Sequence, residues 1–170
     1  MKTLLSALLL LCLAVPAVAV DTFTNEITVE NVITLMNDYR TARDVAPLRA
    51  DAQLMRAADD RMRHMEEESY WSHDSPDGVT PFVWLKVRDY DFQYAGENLA
   101  TGFETARLLV ESWMESPGHR DNILSTDFDD CGIAIIDGST QGPAVGKSIV
   151  VLFGKKQNDL QLPIIAKIRH

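Results

Sequence analysis

Two apolar runs near the C-terminal end of the chain place the strongest limit on its fold. Residues 131–136 and 148–153 are almost entirely apolar, and the turn-rich residues 137–143 follow the first run. Short apolar runs bounded by turn residues predict strands that are buried on both faces. We therefore expect both strands to lie centrally in a sheet that is covered by helices.

Two amphipathic helices are predicted in the first half of the chain. Thr28 can cap the first helix, which we expect to run to about residue 44, and Asp51 can cap the second, which the glutamates at 66–68 close. Apolar residues recur at helical spacing along one face of each helix. These residues are Val32, Leu35, Met36 and Tyr39 in the first helix and Leu54, Ala58, Met62 and Met65 in the second.

Two more helices are predicted further along the chain. Thr80 and Pro81 favour a short third helix to about residue 88, with threonine as the cap and proline at the first helical position. Residues 96–101 predict a turn or a short strand, and Gly102 separates them from a fourth helix. The apolar face of the fourth helix consists of Ala106, Leu109, Val110, Trp113 and Met114.

The N-terminal residues predict a secretory signal peptide. Lys2 precedes an apolar run at residues 4–15, Pro16 interrupts that run, and Ala17 and Ala19 supply the small residues before a cleavage point. The run is too short to span a bilayer, so after cleavage we expect a secreted protein, periplasmic or extracellular, without integral membrane association. A retained signal anchor is the alternative.

The chain has 170 residues, enough for one domain with a proper core and too few for two domains of usual size. No internal repeat or linker divides it. We therefore predict a signal peptide at residues 1–19, one domain at residues 28–154 and a C-terminal tail at residues 155–170. The apolar side chains of that tail can dock on the domain.

The acidic charge of the chain limits its partners. Cleavage removes Lys2 and no acidic residue, so the formal net charge goes from −9 to −10. Such a chain is repelled by the phosphates of nucleic acids and by anionic lipid headgroups, which argues against nucleic-acid binding. The charge does not exclude a small hydrophobic ligand, because such a ligand is recognised by burial and not by charge.

Cysteine usage argues against a disulfide within the mature chain, because Cys131 is then its single cysteine. Cys12 lies in the signal region after Leu11, where a lipoprotein signal would need a small residue, so lipid anchoring is not expected. We interpret Cys131 as a small apolar residue entering a strand, since no basic residue nearby in sequence would lower its pKa. An intermolecular disulfide is the alternative.

Three residues on separate, irregular segments are candidates for a site. His73 lies in a bent, polar loop, Glu97 lies in an apolar, glycine-bearing turn, and His119 follows Pro117-Gly118 at the start of a short helical turn. Two imidazoles and a carboxylate suit Zn²⁺ or another divalent cation with an open fourth position. Their spacing alone is a weak signal, because no compact motif such as H-E-x-x-H is present.

Each of these residues can instead have a purely structural role. His73 can be a buried structural histidine, and Glu97 can accept backbone hydrogen bonds and clamp a loop, a part that Asn98 suits better. Arg120 and Asn122 can form hydrogen bonds with the loops around a cleft that contains the three candidate residues. An exposed position for Arg120 is an equally fair interpretation.

The segment Gly96-Glu97-Asn98-Leu99-Ala100 and the later segment WMESPGHRDNIL, at residues 113–124, together resemble the CAP superfamily. This superfamily, whose module is also called the SCP domain, contains cysteine-rich secretory proteins, venom antigens and plant pathogenesis-related proteins. The chain is most similar to its bacterial, disulfide-free branch, and the likeness runs from about residue 31 to residue 154. Other matching positions are Asn37, Arg40, Pro47, Leu48, Leu54, Ala58 and the loop pair Ser72-His73.

The resemblance implies an α+β fold, a single-domain α-β-α sandwich with a central, mainly antiparallel sheet and a large cleft. In many members two histidines and two glutamates line that cleft and bind zinc or another divalent ion. His73, Glu97 and His119 match three of these positions, and Ser116, which also suits a helix cap, stands at the fourth. Glu115 is one residue early, a rotation of about 100° on a helix, so metal affinity is expected to be lower than in complete members.

Three functions are compatible with these residues. We favour a secreted, non-enzymatic binding domain whose cleft holds a sterol, a fatty acid or a cell-envelope component, with or without a metal. The alternatives are a metal-dependent hydrolase of peptides or cell-wall material with Glu97 as its base, and an extracellular interaction protein whose cleft residues only stabilise the fold. One glutamate cannot easily be both a metal ligand and a general base, so no residue is assigned as catalytic.

Overall fold

The computed structural model describes residues 25–138 and 146–157, together with the backbone of residues 167–169. The predicted signal peptide lies outside the described residues. The helices are α1 (Val29–Thr41), α2 (Ala52–Glu67), α3 (Val83–Val87), α4 (Ala106–Glu115) and α5 (Pro117–Leu124). The strands are β1 (Arg49–Ala50), β2 (Phe92–Phe103), β3 (Asp130–Asp137), β4 (Lys147–Lys156) and β5 (Lys167–Arg169).

The strands of the described residues form one sheet in the order β1-β3-β4-β2-β5. The long strands β3, β4 and β2 pair antiparallel in the middle, whereas the short β1 and β5 add parallel pairs at the two sides. The two apolar runs thus lie in β3 and β4 at the centre of the sheet, as the sequence predicts. The mainly antiparallel sheet of the α+β prediction is confirmed.

Helices cover both faces of this sheet. Along β4, Ile149, Val151 and Phe153 face the core cluster that contains α1, α4 and α5. The alternate residues Val150 and Leu152 face a second core cluster that contains α2 and α3. Because successive side chains of a strand point to opposite faces, this alternation produces the α-β-α sandwich.

The predicted caps of α1 and α2 are present. The Thr28 hydroxyl accepts a hydrogen bond from the Asn31 N–H at 3.2 Å, and the Asp51 carboxylate accepts from the Gln53 and Leu54 N–H groups at 2.8 and 3.1 Å. Helix α1 ends three residues earlier than predicted. The backbone then turns through Asp44, whose φ of 57° is incompatible with a continuing right-handed helix.

Helix α3 differs from its prediction at the N-terminus. It begins at Val83, its N-cap is Phe82, and no side chain caps it, so Thr80 is not the cap that the sequence predicted. The Val83 N–H donates to the Thr80 carbonyl at 3.3 Å and the Trp84 N–H to the Pro81 carbonyl at 3.4 Å. Residues 80–83 therefore form a tight turn that precedes the helix.

Of the turn and the short strand that the sequence left open for residues 96–101, the strand is confirmed and the turn is wrong, because these residues lie within β2, the longest strand described. A Cβ atom on Gly96 would stand 2.8 Å from Cζ of Phe128 and 3.1 Å from Oδ1 of Asn122. Gly96 is therefore required for close packing and not for a turn. Gly102, with a φ of 82°, lies where the pairing of β2 with β4 becomes irregular.

The ends of the predicted domain and tail also differ. Residues 155–156 belong to β4, and residues 167–169 of the predicted tail form β5, which pairs with residues 94–96 of β2. The short strand β1 was not predicted from the sequence. Residues 158–166 lie outside the described residues.

Candidate functional site

Glu97 lies in the middle of β2 and its side chain points toward α2. Its register partner on β4 is Leu152, which belongs to the α2 face of the sheet. The carboxylate is 1% exposed, and its Oε2 accepts a hydrogen bond from Nε of Arg61 at 3.0 Å. Arg61, on the inner face of α2, is equally buried. The buried charge of Glu97 is thus compensated by a buried cation.

The same guanidinium also holds the loop that follows α2. Arg61 donates to the hydroxyl of Tyr70 and to the carbonyl oxygens of Ser72 and His73, the latter at 2.7 Å. The Tyr70 hydroxyl also meets Nδ1 of His64 at 2.7 Å. A single side chain therefore ties β2 and the histidine-bearing loop to α2.

Sequence reasoning missed Arg61. Its signal was available, because Arg61 recurs at helical spacing with the apolar stripe of Leu54, Ala58 and Met65. A charged residue on an otherwise apolar helix face predicts a buried partner. The partner itself, 36 residues away, could not be read from that pattern.

His73 is the solvent-facing member of this group. Its Nδ1 lies 2.8 Å from Oε1 of Glu97, and its side chain is 37% exposed. A carboxylate only accepts hydrogen bonds, so in the neutral ring the proton is on Nδ1 and Nε2 is the acceptor. Glu97 therefore fixes both the tautomer and the orientation of the imidazole.

His119 comes from the opposite face of the sheet, on the first turn of α5. The Asn98 amide donates to its carbonyl at 3.1 Å, and its ring centroid lies 6.3 Å from that of Trp113. Burial lowers the pKa of His119, and the neighbouring His73 lowers it further. Burial and the neighbouring ring thus both favour the neutral form of the His119 imidazole.

The two sequence motifs are joined by side chains that bind the backbone of β2. The Asn122 amide donates to the carbonyl of Glu97 at 3.1 Å and to Oδ1 of Asn98 at 2.9 Å. The Trp113 indole N–H donates to the carbonyl of Leu99 at 3.2 Å. Asn98 and Asn122 thus act as clamps that position α5, and with it His119, against β2.

The remaining candidate residues, at positions 115, 116 and 120, differ in where they lie relative to the two histidines. Arg120 is partly buried and donates to the carbonyl of Met114 at 3.4 Å. Ser116 stands at the junction of α4 and α5, although its side chain makes no capping hydrogen bond. Glu115 is exposed and lines a separate groove with Glu111, so the structure does not bring it to the two histidines.

The hydrogen bonds of Glu97 limit how a metal ion could bind at this site. Among residues 25–138 and 146–157, no group of three or more histidine, cysteine, aspartate or glutamate side chains is placed to hold a metal ion. Both oxygens of Glu97 are engaged, by Arg61 and by His73, so direct ligation by Glu97 would displace one of them. In this arrangement Glu97 is placed to orient the His73 ring rather than to bind a metal directly.

A model of the cysteine-rich secretory protein family, CAP, matches residues 33–151. The chain belongs to the CAP family. It is 33% identical over 108 residues to the uncharacterized protein YkwD of Bacillus subtilis, covering 64% of this chain and 42% of YkwD. It is 30% identical over 106 residues to the uncharacterized membrane protein YlbC of the same organism, covering 62% of this chain and 31% of YlbC. The chain thus spans less than half the length of these relatives.

Solved structures with the same fold support this assignment. An outer surface protein of Borrelia burgdorferi superposes with a TM-score of 0.66 at 26% identity, over 75% of this chain and 92% of that one. An extracellular protein of Bacillus anthracis that contains an SCP domain gives a TM-score of 0.65 at 28% identity, over 75% and 40% of the two chains. Within the described residues of our CAP protein, no helix is both long and apolar enough to span a bilayer.

Proposed function

We propose that this CAP domain acts outside the cytoplasm, in the periplasm or beyond the cell, and binds a small ligand at His73, Glu97 and His119. The predicted signal peptide supports export. Two proteins of the same fold are described as an outer surface protein and an extracellular protein, which supports the same location.

One observation carries the binding proposal: the buried Glu97 is held on both oxygens, while the imidazole that it orients stays 37% exposed. Desolvation of a buried ion pair costs several kcal/mol per ion, and an apolar pair would fill the same space without that cost. Ionisable groups that are buried and paired behind an exposed side chain are found at functional sites. The arrangement supports a role for the His73 ring in recognition.

The chemistry of the ligand follows from the two rings. The Nδ1 of His73 is engaged by Glu97, and burial lowers the pKa of His119, which favours its neutral form. A neutral imidazole suits a hydroxyl or amide group better than an anion, and the acidic chain repels anions at long range. We therefore favour a ligand with a neutral polar head and an apolar body, such as a sterol or another neutral envelope lipid, over a fatty acid.

A divalent cation is a second element of the proposal. His73 and His119 are the residues that would hold Zn²⁺, and Glu97 would orient His73 from behind. Such an ion would polarise an oxygen of the bound ligand.

The Glu97–His73 pair also favours a second candidate function, a hydrolase of peptide or cell-wall material. A carboxylate that accepts the Nδ1 proton leaves Nε2 to take a proton from water, so His73 would be the base. Glu97 itself is enclosed by Arg61 and His73 and is unsuited to that part.

Native purification followed by lipid extraction and mass spectrometry tests the binding proposal. We expect a neutral lipid to co-purify with the wild-type chain and to be absent from a His73→Ala/His119→Ala variant. The control is an Arg56→Ala/Arg107→Ala variant, which truncates two exposed side chains and should retain the lipid. Equal recovery from the two variants would contradict the proposal.

Two further assays separate the other possibilities. A zinc titration of the same three proteins tests the cation, because affinity that survives in the double histidine variant would remove both rings as ligands. Hydrolysis of peptide and peptidoglycan libraries, with and without chelator, tests the second candidate. If the wild-type chain shows no turnover under either condition, the hydrolase candidate is rejected and ligand binding is the one proposed function that is left.

A further inference from the structure

A groove of about 410 Å³ lies between the end of β2 and the outward face of α4. Its lining includes Phe103 and Leu108 as apolar members and Glu104, Glu111 and Glu115 as acidic ones. Leu108 is 56% exposed and so presents apolar surface to this groove. None of the residues assigned to the histidine site lines this groove.

The acidic residues of the groove are electrostatically unfavourable for α4. Glu111 and Glu115 are four residues apart on the same helix face, where like charges destabilise a helix. Glu115 is also the last residue of α4, where the helix dipole disfavours an anion, and the last turn contains no basic residue. Within the described residues, no ion pair includes Glu104, Glu111 or Glu115. A bound cation would relieve both costs.

The spacing of these carboxylates fits an extended peptide. Residues four apart on a helix are separated by about 6 Å along the axis, and alternate residues of an extended chain are about 6.6 Å apart and on the same side. Two basic residues at alternate positions would therefore reach Glu111 and Glu115 together. An apolar residue that precedes or follows the two basic residues on that same side of the segment would then lie against Leu108 and Phe103.

We propose that this groove is a docking surface for a cationic, amphipathic peptide segment of another protein. Its basic side chains pair with Glu104, Glu111 and Glu115, and its apolar side chains cover Leu108 and Phe103. The net charge of −9 attracts such a segment at long range, and the apolar floor between the carboxylates selects it over a merely basic one.

Fluorescence anisotropy with two labelled ten-residue peptides tests the proposal on the full mature chain. One peptide repeats the sequence leucine, serine, lysine, serine, lysine, which puts a leucine and two lysines on the same side of an extended chain, and in the other peptide serine replaces each leucine, so that both have the same charge. We expect the leucine-containing peptide to bind more tightly. A Glu111→Gln/Glu115→Gln variant should weaken it by about tenfold, and a Leu108→Ser variant should weaken it without affecting the lysine–serine peptide.

The matched control is Glu66→Gln/Glu67→Gln, which removes the same charge from exposed positions on α2 outside the groove. We expect its affinity to stay within about twofold of wild type. Equal weakening by the two glutamine variants, or no effect of Leu108→Ser, would overturn the proposal. A chain that begins at Asn25 and binds at least about tenfold more tightly would also overturn it, because the preceding residues of the chain itself would then be the occupant.

Discussion

The guanidinium of Arg61 and the carboxylate of Glu97 lie 3.0 Å apart, and both side chains are 1% exposed. Because Arg61 also binds the carbonyl oxygen of His73, this one side chain holds both the backbone of that histidine and the carboxylate that orients its ring. Stability and site geometry are therefore coupled at Arg61.

Loss of either member of this pair should destabilise the protein strongly. An Arg61→Met or a Glu97→Gln variant should lose about 3–5 kcal/mol of unfolding free energy, since each leaves a buried group without its partner. The double variant should lose much less than the sum of the two. Urea denaturation measures all three. A Lys155→Met variant, which breaks the half-exposed pair with Asp129, is the control and should lose far less.

Arg40 should be equally important, although it has no carboxylate partner among the described residues. It is 1% exposed, and burial lowers its pKa. Its guanidinium donates at 2.7–3.0 Å to the carbonyl oxygens of Ala46, Ile123, Ser125 and Phe128. An Arg40→Met variant leaves these acceptors without a donor and should lose at least about 3 kcal/mol. The exposed Arg43→Met is the control in the same denaturation series, and equal losses would contradict this role.

The stability of the protein should fall between pH 7 and pH 5 in part because of His119. Its folded-state pKa is lowered by burial, so below the unfolded pKa of about 6.5 the unfolded chain binds the proton more readily. Stability is therefore present above that pH and is lost as the pH falls toward the folded pKa. The curve of unfolding free energy against pH should be flatter for a His119→Gln variant than for the wild-type protein. Parallel curves, or an NMR titration of His119 at or above 6.5, would contradict this account.

Cys131 should react with thiol reagents only through unfolding. The side chain is fully buried in β3, and burial raises the pKa of its thiol to about 12. In a chain that begins at residue 20, we expect labelling by Ellman's reagent at pH 8 to be slow in buffer and complete within seconds in denaturing urea. Rapid labelling without urea, or a disulfide-linked dimer of the native protein, would show that the thiol is accessible.

Three glycines should respond to alanine in a fixed order. A Cβ on Gly132 would stand 2.1 Å from the backbone of Leu54, whereas one on Gly96 would meet the Phe128 ring at 2.8 Å, and Gly118 has nothing within 4 Å. We expect Gly118→Ala to be close to neutral, Gly96→Ala to cost about 1–3 kcal/mol and Gly132→Ala to cost more, because a helix backbone cannot yield as a side chain can. Thermal denaturation establishes the order, and any other order would contradict the packing described.

Much of the secondary structure could be predicted from the sequence, because its signals are local. Thr28 and Asp51 cap their helices as expected, and the apolar faces of α2 and α4 are buried as their spacing predicts. At Gly96 the sequence left a turn and a short strand open, and the structure has the strand. From the sequence alone, a glycine that forms a turn looks the same as a glycine that makes room for a neighbouring ring. At Gly96 the position of the Phe128 ring distinguishes the two cases.

Local patterns in the chain were enough to predict the helices, the two apolar strands, the family and the three residues around which a site was expected. The contacts of those three residues follow only from the folded arrangement. Because side chains alternate along a strand, the register of β2 against β4 sends Glu97 toward Arg61 and His73, and sends Asn98 to the opposite face, toward His119. That register depends on contacts between residues far apart in the chain, and no local pattern encodes it.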